Sequence, residues 1–200
     1  MKTGQSVNHP KKGDRIAVDP IREIKAVKAI SALTKDNPRD HLLFVMGVNN
    51  GLRAGDLLRL KVRDVRHLKV GDILTIKESK TQKDNVLVVN KIVYKALREY
   101  LDRVQPDDED FVFASRKGGS HLQSQAVSKL VKKWTTAVNL KGNYGAHTLR
   151  KTWGYQQRTL HGVGFEIICK RYNHSSPAIT MRYLGIQDKE VHNALLNEIG

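Results

Sequence analysis

Residues 72–90 read DILTIKESKTQKDNVLVVN, and the fold class turns on them. DILTIKES and NVLVVN are β-branched and aliphatic runs, separated by the polar KTQKD. Two such runs around a short polar loop predict an antiparallel hairpin with Lys80 at its turn. On both sides of this stretch the apolar spacing is helical. The reading is therefore α+β, mainly α, with a small antiparallel sheet near the middle of the chain.

Working outward, KIVYKALREYLDRV (91–104) follows the hairpin, and its period places Ile92, Leu97, Leu101 and Val104 on the buried side. Upstream, NPRDHLLFVMGV opens with Asn37 as a cap and Pro38 at the first helical position, and Gly51 ends it. DPIREIKAVKAISAL repeats the device with Asp19 and Pro20, with Ile21, Ile24, Val27 and Ile30 along one face. Leu57, Leu58 and Leu60 mark a short third helix. Downstream, the acidic QPDDED precedes a short apolar FVFAS. From Gln123 the chain reads as almost wholly helical, broken at NLKGNYG, HGVG, NHSSP and LGI. Residues 1–18 are polar and basic and read as a flexible leader. Residues 19–200 read as one domain, within which 186–200 form a C-terminal amphipathic helix with Val191, Leu195 and Ile199 on one side.

Charge narrows the partner. Lys and Arg number 35 against 20 Asp and Glu, a surplus of fifteen positives in 200 residues. Such a surplus favours a polyanion, because neutralising phosphates releases their condensed counterions. The basic residues are dispersed along the chain, which suits a folded basic surface. No apolar run approaches the roughly 18 residues of a membrane span. A single cysteine, Cys169, excludes an internal disulfide and fits a reducing cytoplasm.

Four further features stand in order along the chain. Arg53 lies in GLRAGDLLRL, Lys80 at the hairpin turn, and His147 and Arg150 three apart in AHTLRKTWG, on one helix face. His174 and Tyr183 follow in NHSSPAITMRYLG. This sequence of residues resembles the tyrosine recombinases, or phage integrases, whose pattern is arginine, hairpin lysine, His-x-x-Arg, a second histidine and tyrosine. GLR with its leucine-rich helix, NHSS and TMRYL match the corresponding family segments, while Tyr172-Asn173 stands where Leu-Gly is common.

The resemblance implies a helical domain of the DNA breaking-rejoining type. It also implies site-specific recombination through a covalent 3′-phosphotyrosyl intermediate, without metal, ATP or other cofactor. The partners implied are double-stranded DNA and other recombinase protomers, with location in the cytoplasm, on the nucleoid when bound to DNA. Tyr183 is the implied nucleophile, and Arg53 and Arg150 a guanidinium clamp whose paired donors fit phosphate oxygens. His147 would take the phenol proton or donate to phosphate. Lys80 would protonate the leaving 5′-oxygen, and His174 would donate to a non-bridging oxygen. Lys129, Lys132 and Lys133, on SQAVSKLVKKW, are candidate DNA contacts.

Plainer readings exist beside these. Arg53 can cap its helix or pair with Asp56, Trp153 suits the core, and Cys169 suits a buried, inert thiol. Two other classes share the features: a non-catalytic DNA-binding regulator with this fold, and a type IB-like topoisomerase.

Overall fold

The computed structural model describes residues 17–116, 118–186 and 192–198. Within them, residues 41–47 are buried on every face, as a helix is only at the centre of a domain. They belong to α2 (Pro38–Asn50), which starts as read: Asn37 accepts from the Asp40 N–H at 3.1 Å and Pro38 follows. Around it lie α1 (Ile24–Leu33), the short α3 (Ala54–Leu58) and α4 (Val62–Val65), α5 (Lys91–Val104), α6 (Ser124–Ala137) and α7 (Ala146–His161). α5 and α7 both pack on α2, and α6 packs on α7. Then come α8 (Phe165–Tyr172) and α9 (Pro177–Leu184), packed on each other and on α7.

Strands β1 (Ile73–Lys77) and β2 (Asp84–Val88) form the expected antiparallel hairpin, in register from Ile73 opposite Val88 to Lys77 opposite Asp84. Val88 N–H donates to Asn50 Oδ1 at 2.8 Å, which fastens the hairpin to the end of α2. The main core joins α1 to α7, with Ile30, Leu42, Met46, Leu97, Val127 and Leu149 among its buried members. A second, smaller core holds α8 and α9 against α7 through Tyr155, Phe165, Ile168, Tyr172 and Leu184.

Two expectations are corrected. Asp19 and Pro20 do not open α1, which is preceded by Glu23 in extended conformation. Asp19 instead accepts from the Asn143 N–H at 3.0 Å, and Ile21 N–H donates to Thr152 Oγ1 at 2.9 Å. Burying Ile21 against α7 holds these residues extended. In α5 the buried stripe is Val93, Ala96, Leu97, Tyr100 and Leu101, whereas Ile92 and Val104 are exposed. Asn90 caps that helix through Val93 N–H, and Gln105 closes it in left-handed conformation. Ile92 and Val104 sit at the two ends, beyond the face that meets α2. Of the leader, residues 1–16 lie outside the described residues, as do Val191 and Ile199 of the C-terminal helix. A helical turn is present at 192–195. Among the described residues, no helix is long and apolar enough to cross a membrane.

Candidate active site

The end of α2 places Arg53. Gly51 takes the left-handed conformation (φ 61°) that stops the helix, and a Cβ there would lie 2.5 Å from Trp153, so glycine is required twice over. Arg53 then precedes α3, with its Nη1 2.5 Å from Oε2 of the fully buried Glu78. Nη1 is buried and makes no aligned hydrogen bond, so the contact is charge against charge. Asp56, the alternative partner considered from sequence, is engaged elsewhere: it accepts from the Ser79 N–H and hydroxyl, both at 2.9 Å. Burial alone would push the Glu78 carboxyl up. Hydrogen bonds from Thr81 and Asn85, with the charge of Arg53 alongside, outweigh it and bring the pKa down to about 2.

Asp56 therefore ties α3 to the hairpin, whose turn carries an exposed Lys80. Lys80, Arg53, Ser79 and His147 border one cleft of about 340 Å³, closed on the far side by Ser124 and Ser128 of α6. Lys77, also in the hairpin, borders a different hollow beside Asp56 and Arg59. His147 rises from the first turn of α7. Its side chain stays exposed, yet protein packed about the ring lowers its pKa, and the charges of Arg150, Arg53, Lys151 and Lys80 lower it further.

One turn along α7, Arg150 is 2% exposed. Its Nη1 donates to Gly51 O at 2.7 Å and its Nη2 to Tyr172 O at 2.8 Å, so one guanidinium holds the approach to both Arg53 and His174. Burial lowers its pKa from an ordinary value so high that it remains a cation. The guanidinium lies 4.3 Å above the Tyr172 ring. The Tyr172 hydroxyl enters the ladder of α7, donating to Arg150 O at 2.6 Å and accepting from Gly154 N–H at 3.0 Å. Gly154 makes the room, since a Cβ there would lie 2.2 Å from that hydroxyl. Burial pushes the Tyr172 phenol far up, and both its hydrogen-bonding roles are filled.

Asn173, left-handed at φ 54°, ends α8 and turns the chain so that His174 follows at once. Ser176 and Pro177 then open α9, with the Ser176 hydroxyl accepting from Ile179 N–H. The nine-residue interval is thus one tight reversal. It brings the rings of His174 and Tyr183 to 5.2 Å, with Tyr172 5.5 Å from Tyr183. His174 Nδ1 meets Thr180 Oγ1 at 2.9 Å. Its pKa is brought to about 4 by burial, then by Arg150 and Arg53, so its ring is neutral at pH 7. The Tyr183 phenol is raised by burial and pulled back by the charges of Arg150 and Arg53 and a hydrogen-bonding contact from Arg150. Lys151 Nζ lies 4.7 Å from its ring centre.

All six residues singled out in the sequence therefore surround one place. The lysines of α6 divide. Lys132 is exposed and follows Ser124 and Ser128, which line the cleft, at four-residue steps along α6. Lys129 and Lys133 border a separate hollow of about 350 Å³ with Arg39 and Arg116. Cys169 is buried and donates weakly to His174 O at 3.3 Å, and Trp153 packs on the smaller core. Sequence reasoning passed over Glu78, Asn85, Arg171 and Lys151. Nothing in the sequence around them marks these four out. Among the described residues, no cluster of three or more His, Cys, Asp or Glu could hold a metal ion.

Comparison with known proteins bears on the family and the fold. The model of the phage integrase family matches residues 20–190. The probable integrase/recombinase YoeC of Bacillus subtilis is 33% identical over 174 residues, covering 86% of this chain and 91% of that protein. The tyrosine recombinase XerA of Pyrococcus furiosus is 25% identical over 177 residues, and there the chain spans 60% of the relative's length. The crystal structure of XerA recombinase superposes with a TM-score of 0.72 at 21% identity, over 90% of this chain and 67% of that one. XerH recombinase bound to palindromic difH substrate gives 0.72 at 21%, over 92% and 53%. The structural likenesses establish the shared fold, and the match along residues 20–190 establishes descent: the chain belongs to the phage integrase family of tyrosine recombinases.

Proposed function

We propose that this protein recombines double-stranded DNA at specific sites by cleaving and rejoining strands through Tyr183, without metal or ATP. The observation that carries the proposal is the position of the Tyr183 phenol, beside His174 and under the charges of Arg150 and Arg53. In the reaction the phenolic oxygen bonds to phosphorus and the bond from phosphorus to the 5′-oxygen breaks. The 3′-phosphate stays on Tyr183 and the 5′-oxygen gains a proton. Anionic charge grows on the non-bridging oxygens, and the two guanidiniums supply the countercharge. A preorganised donor at such a site is worth about 2.7–4 kcal/mol.

Proton traffic follows from the pKa directions. His147, held neutral, accepts the phenol proton directly or through water, while the exposed Lys80 delivers a proton to the leaving oxygen from the hairpin side of the cleft. With the Thr180 hydroxyl donating to Nδ1, neutral His174 carries its proton on Nε2 and donates it to a non-bridging oxygen. Lys132 supports a phosphate contact next to the cleft, and Lys129 and Lys133 contacts further along the duplex. Work in an assembly is supported by relatives: a lambda integrase dimer is known bound to a core site, and XerH bound to its substrate.

Exchange of the C-terminal segment between protomers belongs to the same proposal. Leu195 and Leu196 are exposed, and an apolar groove of about 290 Å³ between α1, α2 and α7 stands open beside Ile24, Ile92 and Leu160. The test is a nicked suicide substrate, resolved on a denaturing gel. A covalent adduct that persists in EDTA and vanishes in Tyr183→Phe, with DNA affinity within about twofold, supports the proposal. No adduct favours the regulator, and relaxation of supercoils by a monomer without paired sites favours the topoisomerase.

A further inference from the structure

A chain of buried polar groups joins the three segments that carry the reacting residues. Glu78 accepts from Thr81 Oγ1 at 2.5 Å and Asn85 Nδ2 at 2.8 Å, while its Oε2 faces Arg53. Asn85 Oδ1 in turn accepts from Arg171 Nη1. Arg171 donates through Nε, at 2.9 Å, and through Nη2 to Asn50 O. The next carbonyl, Gly51 O, is held by Arg150, whose other arm holds the carbonyl of Tyr172, the residue after Arg171. The contacts thus run from Arg53 through the hairpin to the base of α8 and back to the end of α2.

We propose that Glu78 is the positioning residue for Arg53: it fixes the guanidinium across the cleft and, through Asn85 and Arg171, keeps it in register with Arg150 and the His174 segment. This rests on Arg53 being part of the phosphate clamp. Arg53 is a long side chain with 19% of its surface exposed, and a free one would sample many rotamers. Burying a carboxylate is costly, and an apolar residue would serve a hairpin equally well if packing were the whole purpose. Three partners meet Glu78 with none of its surface in water, and its pKa of about 2 keeps it an anion at every working pH. It is a fixed anchor and moves no proton.

A rival role is to hold the hairpin, and so Lys80, in place. The two separate on a substrate with sulfur in the bridging 5′ position. A thiolate leaves without being protonated, so a defect that acts through Lys80 disappears, while one that acts through Arg53 persists. The experiment measures single-turnover adduct formation on oxygen and sulfur substrates for wild type, Glu78→Gln, Arg171→Lys and Lys80→Ala, with DNA affinity and thermal melting alongside. Glu78→Gln is expected to be about 10- to 100-fold slower on both substrates, as displacement of a catalytic group by about an ångström would cause. DNA affinity should stay within about twofold, and sulfur should rescue Lys80→Ala alone. Arg171→Lys, which loosens the same chain from its far end, should show the Glu78→Gln pattern more weakly and serves if the first variant fails to fold. Wild-type rates in Glu78→Gln, or in Arg171→Lys should it alone be folded, overturn the proposal, as does rescue of Glu78→Gln by sulfur. No adduct from wild type on either substrate would strike the recombinase reading itself, and this one with it.

Discussion

His147 is a histidine among cations, and its chemistry is set by that company. Its pKa lies below the ordinary value through desolvation first and then through Arg150, Arg53, Lys151 and Lys80. If the neutral ring is the proton acceptor, kcat/KM for adduct formation is flat above that pKa and falls below it, since this parameter reports the free enzyme. The acid limb is therefore expected below pH 6.5, and a limb above it would remove His147 from the role. Glu78 works in the opposite sense. Its folded pKa is depressed to about 2 from an ordinary value of 4.5, so its stabilisation is complete above the unfolded pKa and is lost as pH falls through the folded one. Acid titration of stability between roughly pH 5 and 2 should accordingly be steeper for wild type than for Glu78→Gln. Equal slopes would mean that the carboxylate is not held as described.

At the scale of elements, the junction of α7 with α8 is the most constrained. The Tyr172 hydroxyl fills the step between Arg150 O and Gly154 N–H. Tyr172→Phe should cost about 1–3 kcal/mol, because the two buried hydrogen bonds of its hydroxyl are lost. Gly154→Ala should cost a similar amount, about 1–3 kcal/mol, by overpacking against that hydroxyl. The double variant should be less destabilised than the sum, because removing the hydroxyl relieves the clash; strict additivity in thermal melting would deny the contact. The same scale shows how far the sequence could be read. Elements carried by local rules came through: the hairpin by its change of period, α2 by Asn37, Pro38 and Gly51, and α5 over its whole length. Asp19 and Pro20 had the look of a helix start, yet a non-local partner in the loop before α7 claimed Asp19. The six candidate site residues could be picked out by their order along the chain. Glu78, Asn85 and Arg171 were not, because their partnership exists only once the hairpin and α8 have met at the end of α2.

For the whole molecule, the fifteen-charge surplus and the ring of cations around Tyr183 are one design at two ranges. On the proposed function, the distant charges gather the duplex, and the near ones balance the charge that develops on a single phosphate. If six or more phosphates are contacted, affinity should fall roughly a thousandfold between about 50 and 200 mM salt. A flat response in a titration by fluorescence anisotropy would assign the surplus to something else. Assembly is a separate matter from chemistry. Leu195→Ser with Leu196→Ser should leave adduct formation on a single site intact and weaken joint occupancy of paired sites. Loss of both together would place the C-terminal segment inside the active site. The central claim is that strand cleavage runs through the phenol of Tyr183, and mass spectrometry of the trapped complex tests it most directly. After nuclease and protease digestion, the account predicts a 3′-linked nucleotide on the peptide containing Tyr183. A nucleotide on any other residue, or none under conditions where the wild-type protein cleaves the strand, would contradict it.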